Sequence, residues 1–326
     1  MRDRDDIDLT VARLRTLFFR HPQHRLLFDQ FDRLLRRRQV EVAEGLRGEA
    51  RGIALIGPSG CGKTTAAERL IATHPDLVLP APDRLRADVV SFLVPSPATL
   101  KDVGMAALAA LGYPLERDKP SGIIWDRVRH FLRERQTLFL HIDEAQDLYT
   151  ARSAGAQQSV INTLKSLMQN RDWPVGLILT GMPEVKAMLN ADPQLARRTY
   201  PIEIAPVSWV ADGPMIRSLV ATYAEKANLS PNTDLVQDDF VARLVHAGAT
   251  QFGLIVETVI AAIEEALRSG ASVLDRSHFA AAFRRRSGCI DGLNPFLTDD
   301  YLSIDPRQLF DMVPVAPPAS LGGRLR

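Results

Sequence analysis

The segment that most constrains the fold is a glycine-rich stretch of eight residues, Gly57-Pro58-Ser59-Gly60-Cys61-Gly62-Lys63-Thr64. It fits the pattern G-x-x-x-x-G-K-[ST], and it lies between an apolar run that ends at Ile56 and a helical pattern. Glycines let the backbone curl so that successive N–H groups point at phosphates, and the following helix adds the positive end of its dipole. The sequence therefore predicts a phosphate-binding loop between a strand and a helix.

The residue types in this loop predict its ligands. We expect the whole loop and the adjacent Thr65 to contact the nucleotide, with Lys63 on the β- and γ-phosphates and the Thr64 hydroxyl on Mg²⁺. ATP and Mg²⁺ are therefore the expected cofactors. A glycine-rich turn that binds nothing is the alternative, and the flanking strand and helix patterns disfavour it.

Two carboxylates follow a second apolar run, residues 137–142. Ligands bind at the carboxyl ends of parallel strands, which is where Asp143 and Glu144 would emerge. We expect Asp143 to hold the Mg²⁺ shell and Glu144 to polarise the attacking water as general base. Acidic residues after a strand are often loop caps, but the nearby phosphate loop favours the functional interpretation.

Two further candidates follow along the chain. Thr180 ends the apolar run 175–179, where its hydroxyl is expected to position the lytic water or contact the γ-phosphate. Arg197 and Arg198 precede a strand pattern, and we expect Arg197 to stabilise transition-state charge in a neighbouring subunit's site. A strand-end threonine and solvated arginines are the alternatives. The sequence leaves open which of the two arginines acts in this way.

The apolar pattern divides the chain into four parts. Residues 1–50 are polar and helical; residues 51–206 alternate short strands with helices, which predicts an α/β core with a parallel five-stranded sheet. Residues 207–286 form a small helical domain, and residues 287–326 collect prolines and glycines, which predicts an extended tail. Strands are expected at 53–56, 89–94, 138–142, 175–179 and 202–204. Helices are expected at 64–72, 98–111, 122–133, 156–170, 184–190, 212–227, 235–247, 253–268 and 275–286. Ser96 is expected to cap the second of these helices, with Pro97 at its first position.

Composition and net charge indicate where the protein is found and how it could contact DNA. Hydrophobic residues make up 46% of the 326, yet no apolar run approaches the roughly 18 residues that a membrane span needs, so a soluble protein is expected. The charged amino terminus does not read as a secretory signal, and only two cysteines occur, which favours the cytoplasm. The net charge of +1 requires any DNA contact to come from a local patch.

The order of these motifs carries a family resemblance. The phosphate loop, Asp143-Glu144, Thr180, Arg197 and the trailing helical domain together resemble an AAA+ ATPase. Three segments are more specifically similar to the TniB/TnsC family of transposition regulators, and the likeness covers roughly residues 15–285. These segments are Phe18-Phe19-Arg20-His21-Pro22, Ile142-Asp143-Glu144-Ala145 and Leu179-Thr180-Gly181.

The resemblance implies both roles and partners. It makes residues 57–64 Walker A, Asp143 and Glu144 Walker B, Thr180 sensor 1 and Arg197 a finger that acts in trans. It also implies a homo-oligomer, ring or helical filament, that assembles on double-stranded DNA, recruits and activates a transposase, and communicates with a target-selection protein. One departure is that residues 248–254 lack the arginine that many AAA+ lids place there, which predicts slow hydrolysis.

DNA contacts and the tail are the least constrained parts. Lys101, Lys119 and Ser121 lie between the second and third core strands and are candidates for phosphate contacts. The tail from Asn294 onward carries isolated apolar residues, which suit either a hook for a partner or a strap on the tail's own helical domain. Two rival functions stay open: an ATPase of secretion or cell-envelope assembly, and a nucleotide-switched signalling ATPase without DNA binding.

Overall fold

The computed structural model describes residues 4–46, 48–81, 84–96, 99–115, 117, 119–149 and 153–309. The chain forms two compact units, Arg20–Ala205 and the combination of Met1–Phe19 with Pro206–Arg326. The sequence pattern grouped residues 1–50 into one segment, but the structure separates them. Helix α1 (Arg4–Thr16) buries its apolar side in the helical unit, whereas α2 (Pro22–Ala43) packs against the sheet.

The sheet unit contains the predicted parallel sheet. Its order is β2-β3-β4-β1-β5, and every neighbouring pair is parallel. The strands are β1 (Gly52–Ile56), β2 (Val89–Leu93), β3 (Phe139–Asp143), β4 (Gly176–Gly181) and β5 (Thr199–Glu203). The predicted strand at 202–204 thus begins three residues earlier. Pro201 in β5 is accommodated because β5 is an edge strand.

Helices cover both faces of this sheet. Alternation along β1 sends Ile53 and Leu55 to one apolar cluster and Ala54 and Ile56 to the other. The first cluster includes the apolar side of α2, where the rings of Phe31 and Phe139 lie 5.1 Å apart. With both faces covered, the strand ends are where a ligand can reach the sheet. The helices that follow are α3 (Lys63–Thr73), α4 (Leu100–Ala110), α5 (Ser121–Glu134), α6 (Ala154–Met168), α7 (Glu184–Asn190) and α8 (Pro193–Ala196).

The start of α4 differs from the prediction. Thr99, not Ser96, is the N-cap, and its hydroxyl accepts a hydrogen bond from the Asp102 N–H at 3.2 Å. The Asp102 carboxylate accepts in return from the Thr99 N–H at 2.7 Å. This reciprocal capping box fixes the boundary. Pro97 and Ala98 lie outside the described residues.

The helical unit contains the four predicted helices and α1. They are α9 (Trp209–Lys226), α10 (Asp238–Ala247), α11 (Phe252–Arg268) and α12 (Arg276–Ser287), joined by a short parallel pair, β6 (Ser230–Pro231) and β7 (Val273–Leu274). Among the described residues, no single helix is long and apolar enough to cross a membrane; α10 and α11 meet that test only as a pair, bent by 109°.

The described part of the tail packs on the helical unit. Phe296 is 1% exposed and lies among the rings of Phe240, Phe279 and Phe283. The Arg243 guanidinium donates to the Pro295 carbonyl at 2.9 Å. Up to this point the tail is a strap on its own unit. Phe310 and the prolines and glycines after it lie outside the described residues.

Candidate nucleotide site

The phosphate loop leaves β1 and enters α3 with an open helix start. Gly60 and Gly62 have φ values of +78° and +94°, a region that favours glycine. Gly62 is the N-cap of α3, and no side chain caps that end. A Cβ on Gly57 would lie 2.7 Å from the Cys61 sulfur, so the first glycine gives the loop room to close. The resulting concave backbone, with a helix start that no side chain caps, fits an anion.

Lys63 lies inside this loop. Its side chain is 7% exposed, and its Nζ donates to the Pro58 carbonyl at 2.9 Å and lies 3.9 Å from the Cys61 sulfur. Among the residues that the structure describes, no carboxylate forms an ion pair with it. A nearly buried ammonium with only neutral neighbours is costly, so Lys63 fits a bound phosphate.

Thr64 and Asp143 meet beside the loop although 79 residues separate them. The Thr64 hydroxyl donates to Asp143 Oδ2 at 3.0 Å, and the Glu144 N–H donates to Asp143 Oδ1 at 3.0 Å. A hydroxyl and a carboxylate are the oxygen ligands that Mg²⁺ prefers. The two predicted metal ligands are therefore brought together and fit that ion.

Thr180 turns toward the same carboxylate. Its hydroxyl hydrogen bonds to Asp143 Oδ1, while His141 Nε2 lies 3.1 Å from the Thr180 oxygen. The threonine has one proton to give, so we assign the Nε2 proton to His141, which donates to Thr180. Burial lowers the pKa of His141 to about 4, against the opposing charge of Asp143, so its ring is neutral. His141 was missed in the sequence; the available signal was a polar residue within a buried apolar strand.

Glu144 follows β3 in an unusual backbone conformation. Its φ of +53° and ψ of 42° are left-handed for a non-glycine residue, and it starts the 3₁₀ turn Ala145–Leu148. Its Oε2 accepts a hydrogen bond from Gln146 Nε2 at 2.5 Å. The Gln146 Oε1 in turn accepts from the Met182 N–H at 3.0 Å. Gln146 is a second residue that sequence reasoning missed.

The two adjacent arginines differ in their surroundings. Arg198 is 3% exposed and holds Glu49 with two hydrogen bonds, Nε to Oε2 at 3.0 Å and Nη2 to Oε1 at 2.5 Å. These bonds are the main cause that lowers the pKa of Glu49 below its ordinary value. The Arg197 side chain is 65% exposed, and its closest approach to Glu49 is 3.8 Å. Arg198 is thus committed within the fold, whereas Arg197 extends into solvent.

Arg197 also lies far from its own phosphate loop. Thr199, two residues on, pairs with Gly52 at the start of β1, whereas the loop leaves the other end of β1 after Ile56. Four strand residues span about 13 Å, so the two features occupy opposite edges of the sheet.

The predicted DNA residues lie at two neighbouring helix starts. Lys101 is in the first turn of α4, and Lys119 and Ser121 flank Pro120, the N-cap of α5. The Trp125 indole donates to the Leu100 carbonyl at 2.9 Å, which holds the start of α4 against the first turns of α5. The structure therefore brings these three residues to one region.

Two arginine-rich runs are held by ion pairs and hydrogen bonds within the fold. In α2, Arg36 pairs with Asp32, and Arg37 and Arg38 pair with Glu41. In α12, Arg284 pairs with Asp291 and Arg285 with Glu264, while Arg286 donates to the Ala247 carbonyl. These partners reduce the positive charge that the two runs offer to a phosphate.

Solved structures share the fold at low sequence identity. The ORC1 protein of Aeropyrum pernix in complex with DNA is 19% identical, with a TM-score of 0.54 over 78% of this chain and 64% of that one. Cdc6p of Pyrobaculum aerophilum is 16% identical, with a TM-score of 0.57 over 87% and 71%. The Aeropyrum pernix ORC2 protein (ADPNP-ADP complexes) is 14% identical, with a TM-score of 0.52 over 79% and 67%. The chain thus spans a little under two thirds of the ORC1 structure, and these likenesses confirm the expected AAA+ fold.

Sequence comparison identifies the family. No curated protein is a significant match. A sequence profile described as bacterial TniB protein matches residues 14–208, which is more than half of the chain and includes the phosphate loop, Asp143, Thr180 and Arg197. The chain therefore belongs to the TniB family.

Proposed function

We propose that this protein is an ATP-hydrolysing, DNA-binding AAA+ regulator of transposition that forms an oligomer on double-stranded DNA and recruits and activates a transposase. The observation that carries the proposal is one site in a TniB-family chain. There Lys63, which has no carboxylate partner among the described residues, lies in an open phosphate loop beside the Thr64–Asp143 pair. The proposed localisation is the cytoplasm.

In the proposed site, the loop 57–64 with Thr65 holds the phosphates, and Thr64 and Asp143 hold Mg²⁺. When bound, ATP supplies the transferable phosphoryl group and Mg²⁺ neutralises its charge. Glu144 accepts the proton of the attacking water through its carboxylate. Thr180 keeps the Asp143 carboxylate oriented, which its hydrogen bond to Oδ1 supports.

Arg197 completes the site of a neighbouring subunit in this proposal. Its exposure and its position at the opposite sheet edge from its own loop favour action in trans. Hydrolysis and assembly are then coupled, because the site lacks an arginine finger until a second copy supplies its Arg197. The absence of a basic residue in 248–254 favours slow hydrolysis, as suits a switch.

DNA contact is assigned to Lys101, Lys119 and Ser121. Contacts of lysines and of a helix start to phosphates carry no sequence information, so binding is expected to tolerate any sequence and to weaken with salt. The structurally similar ORC1 protein was solved in complex with DNA, which supports the proposal that this chain binds DNA but not the choice of residues. The proposal of a transposase and a target-selection protein as partners rests only on the resemblance of this chain to the TniB/TnsC family.

The test combines electron microscopy and salt-dependent DNA binding. With a non-hydrolysable ATP analogue, we expect ordered oligomers on duplex DNA and few without it. In the double variant K101E/K119E, the plot of log affinity against log salt concentration should become less steep by about 2, because each lost phosphate contact reduces the magnitude of the slope by about 1. K226E, at the exposed end of α9, is the matched control and should leave the slope unchanged.

Two results would reject parts of this proposal. If assembly with the ATP analogue is identical with and without DNA, the signalling rival is favoured. If K101E/K119E binds DNA with the wild-type salt slope, the contact residues lie elsewhere.

A further inference from the structure

We infer that Gln146 is a positioning residue that couples the Glu144 carboxylate to the end of β4. The inference rests on the proposed role of Glu144 as general base. No motif singled out Gln146, and its evidence is geometric.

The amide of Gln146 has only one consistent orientation. The Met182 N–H lies 3.0 Å from Oε1 and can only donate, so the oxygen must face it. The Nε2 group then faces Glu144, whose Oε2 accepts at 2.5 Å. Gln146 is 8% exposed, so water competes little for either bond. The side chain is therefore a fixed donor aimed at the candidate base.

The residue before Met182 makes room for this amide. A Cβ on Gly181 would lie 2.6 Å from Gln146 Oε1 and 3.2 Å from the Ala145 nitrogen. The bare backbone at Gly181 thus allows the 3₁₀ turn after Glu144 to lie against the end of β4.

Three consecutive residues at the end of β4 therefore hold both carboxylates. Thr180 bonds directly to Asp143, Gly181 provides the space, and Met182 bonds to Glu144 through Gln146. Because one Glu144 oxygen is bound, the direction of the carboxylate is set, while the other oxygen has no hydrogen-bond partner among the described residues and can accept a proton. A displacement of the end of β4 would move the candidate metal ligand and the candidate base together.

The substitution Gln146→Glu tests this coupling with little change in shape. It keeps an oxygen for the Met182 N–H, removes the donor to Glu144 and places two carboxylates in contact. We expect kcat to fall about 10- to 100-fold, with KM for ATP within about twofold of wild type, because misplacing a reacting group affects the chemical step. The melting midpoint should fall by about 5 °C. Q158E, an exposed glutamine-to-glutamate change on α6, is the matched control and should resemble wild type.

An exchange of the two side chains separates positioning from general damage. In E144Q/Q146E an amide again faces a carboxylate, so we expect the melting midpoint to recover while hydrolysis stays absent. A Q146E variant with wild-type kcat, or an exchange variant that melts no higher than Q146E, would overturn the role of Gln146. If wild type itself does not hydrolyse ATP, the proposed function is what fails.

Discussion

The parallel sheet has one edge where its strands begin and an opposite edge where they end, and basic side chains at these two edges lie in different surroundings. Where the strands begin, Arg198 holds Glu49, and Lys165 donates to Asp192 at 2.7 Å. Where the strands end, Lys63 is almost as buried as Arg198 but meets only neutral acceptors among the described residues. A buried charge without a partner is expensive, so the second edge is the one built for a ligand.

The residues just before and just after β3 also differ between the two edges, although both have a left-handed backbone. Gln136 before the strand and Glu144 after it have φ values of +52° and +53°. The Gln136 side chain is exposed, whereas the Glu144 carboxylate is held by Gln146. Left-handed backbone at a non-glycine residue costs free energy at both places, but only at Glu144 does a candidate functional side chain depend on it.

The largest expected effect is on ATP affinity, which should depend on Lys63 and not on Lys165. Lys63→Ala should weaken ATP binding at least 100-fold with little loss of thermal stability, because it removes a buried charge that has no carboxylate partner in the described part of the chain. Lys165→Ala should leave ATP affinity unchanged and lower the melting midpoint by several degrees, because it leaves Asp192 unpaired. Titration calorimetry and thermal melting of both variants measure this. Equal effects of the two variants on ATP binding would remove the distinction between the edges.

The next largest effect is on hydrolysis, which should depend on Arg197, whereas thermal stability should depend on Arg198. Arg197→Ala should reduce hydrolysis by about 10³-fold, the lower end of the range for arginine fingers, without changing the melting midpoint. Arg198→Ala should lower the midpoint by about 5 °C, since it removes a buried guanidinium that holds both the half-exposed Glu49 and the Gln194 carbonyl. Steady-state ATPase assays on the folded fraction distinguish the two. A fully active R197A would show that Arg197 is a solvated surface residue.

A smaller effect concerns acid stability at the edge where the strands begin. Because Arg198 lowers the pKa of Glu49 from its ordinary 4.5, the ionised pair contributes stability above that pH and loses it as the pH falls through the lowered pKa. Glu49→Gln should therefore be less stable than wild type at pH 7, with the difference shrinking below about pH 4.5. Denaturant unfolding across this range is the measurement, and a difference independent of pH would contradict it.

The smallest effect concerns the backbone at Gln136. Gln136→Gly should raise the free energy of unfolding by up to about 1 kcal/mol, because glycine adopts positive φ without strain. Hydrolysis should not change. The same substitution at Glu144 should abolish hydrolysis whatever it does to stability. A destabilised Q136G would mean that the Gln136 side chain has a structural role.

The sequence was sufficient for the sheet and for the residues that meet at its ligand edge. Strand ends are readable because apolar runs stop there, and parallel strands bring residues as distant as Thr64 and Asp143 together. His141 was marked in the sequence only as a polar residue within an apolar run, and Gln146 carried no signal, because their roles depend on hydrogen bonds to residues 39 and 36 positions away, respectively. The partner of Arg198 was equally hidden, since Glu49 lies 149 residues away. The sequence could not separate α1 from α2, because both have one apolar side and only packing decides where each lies.

Mixing two inactive variants tests most directly whether the site is completed in trans. E144Q keeps Arg197 but lacks the base, and R197A keeps the base but lacks the finger. If Arg197 acts on a neighbour's nucleotide, an equal mixture should recover about a quarter of the wild-type hydrolysis rate per chain, because half of the R197A sites then face an E144Q neighbour. A mixture no more active than the average of its two components would contradict the account.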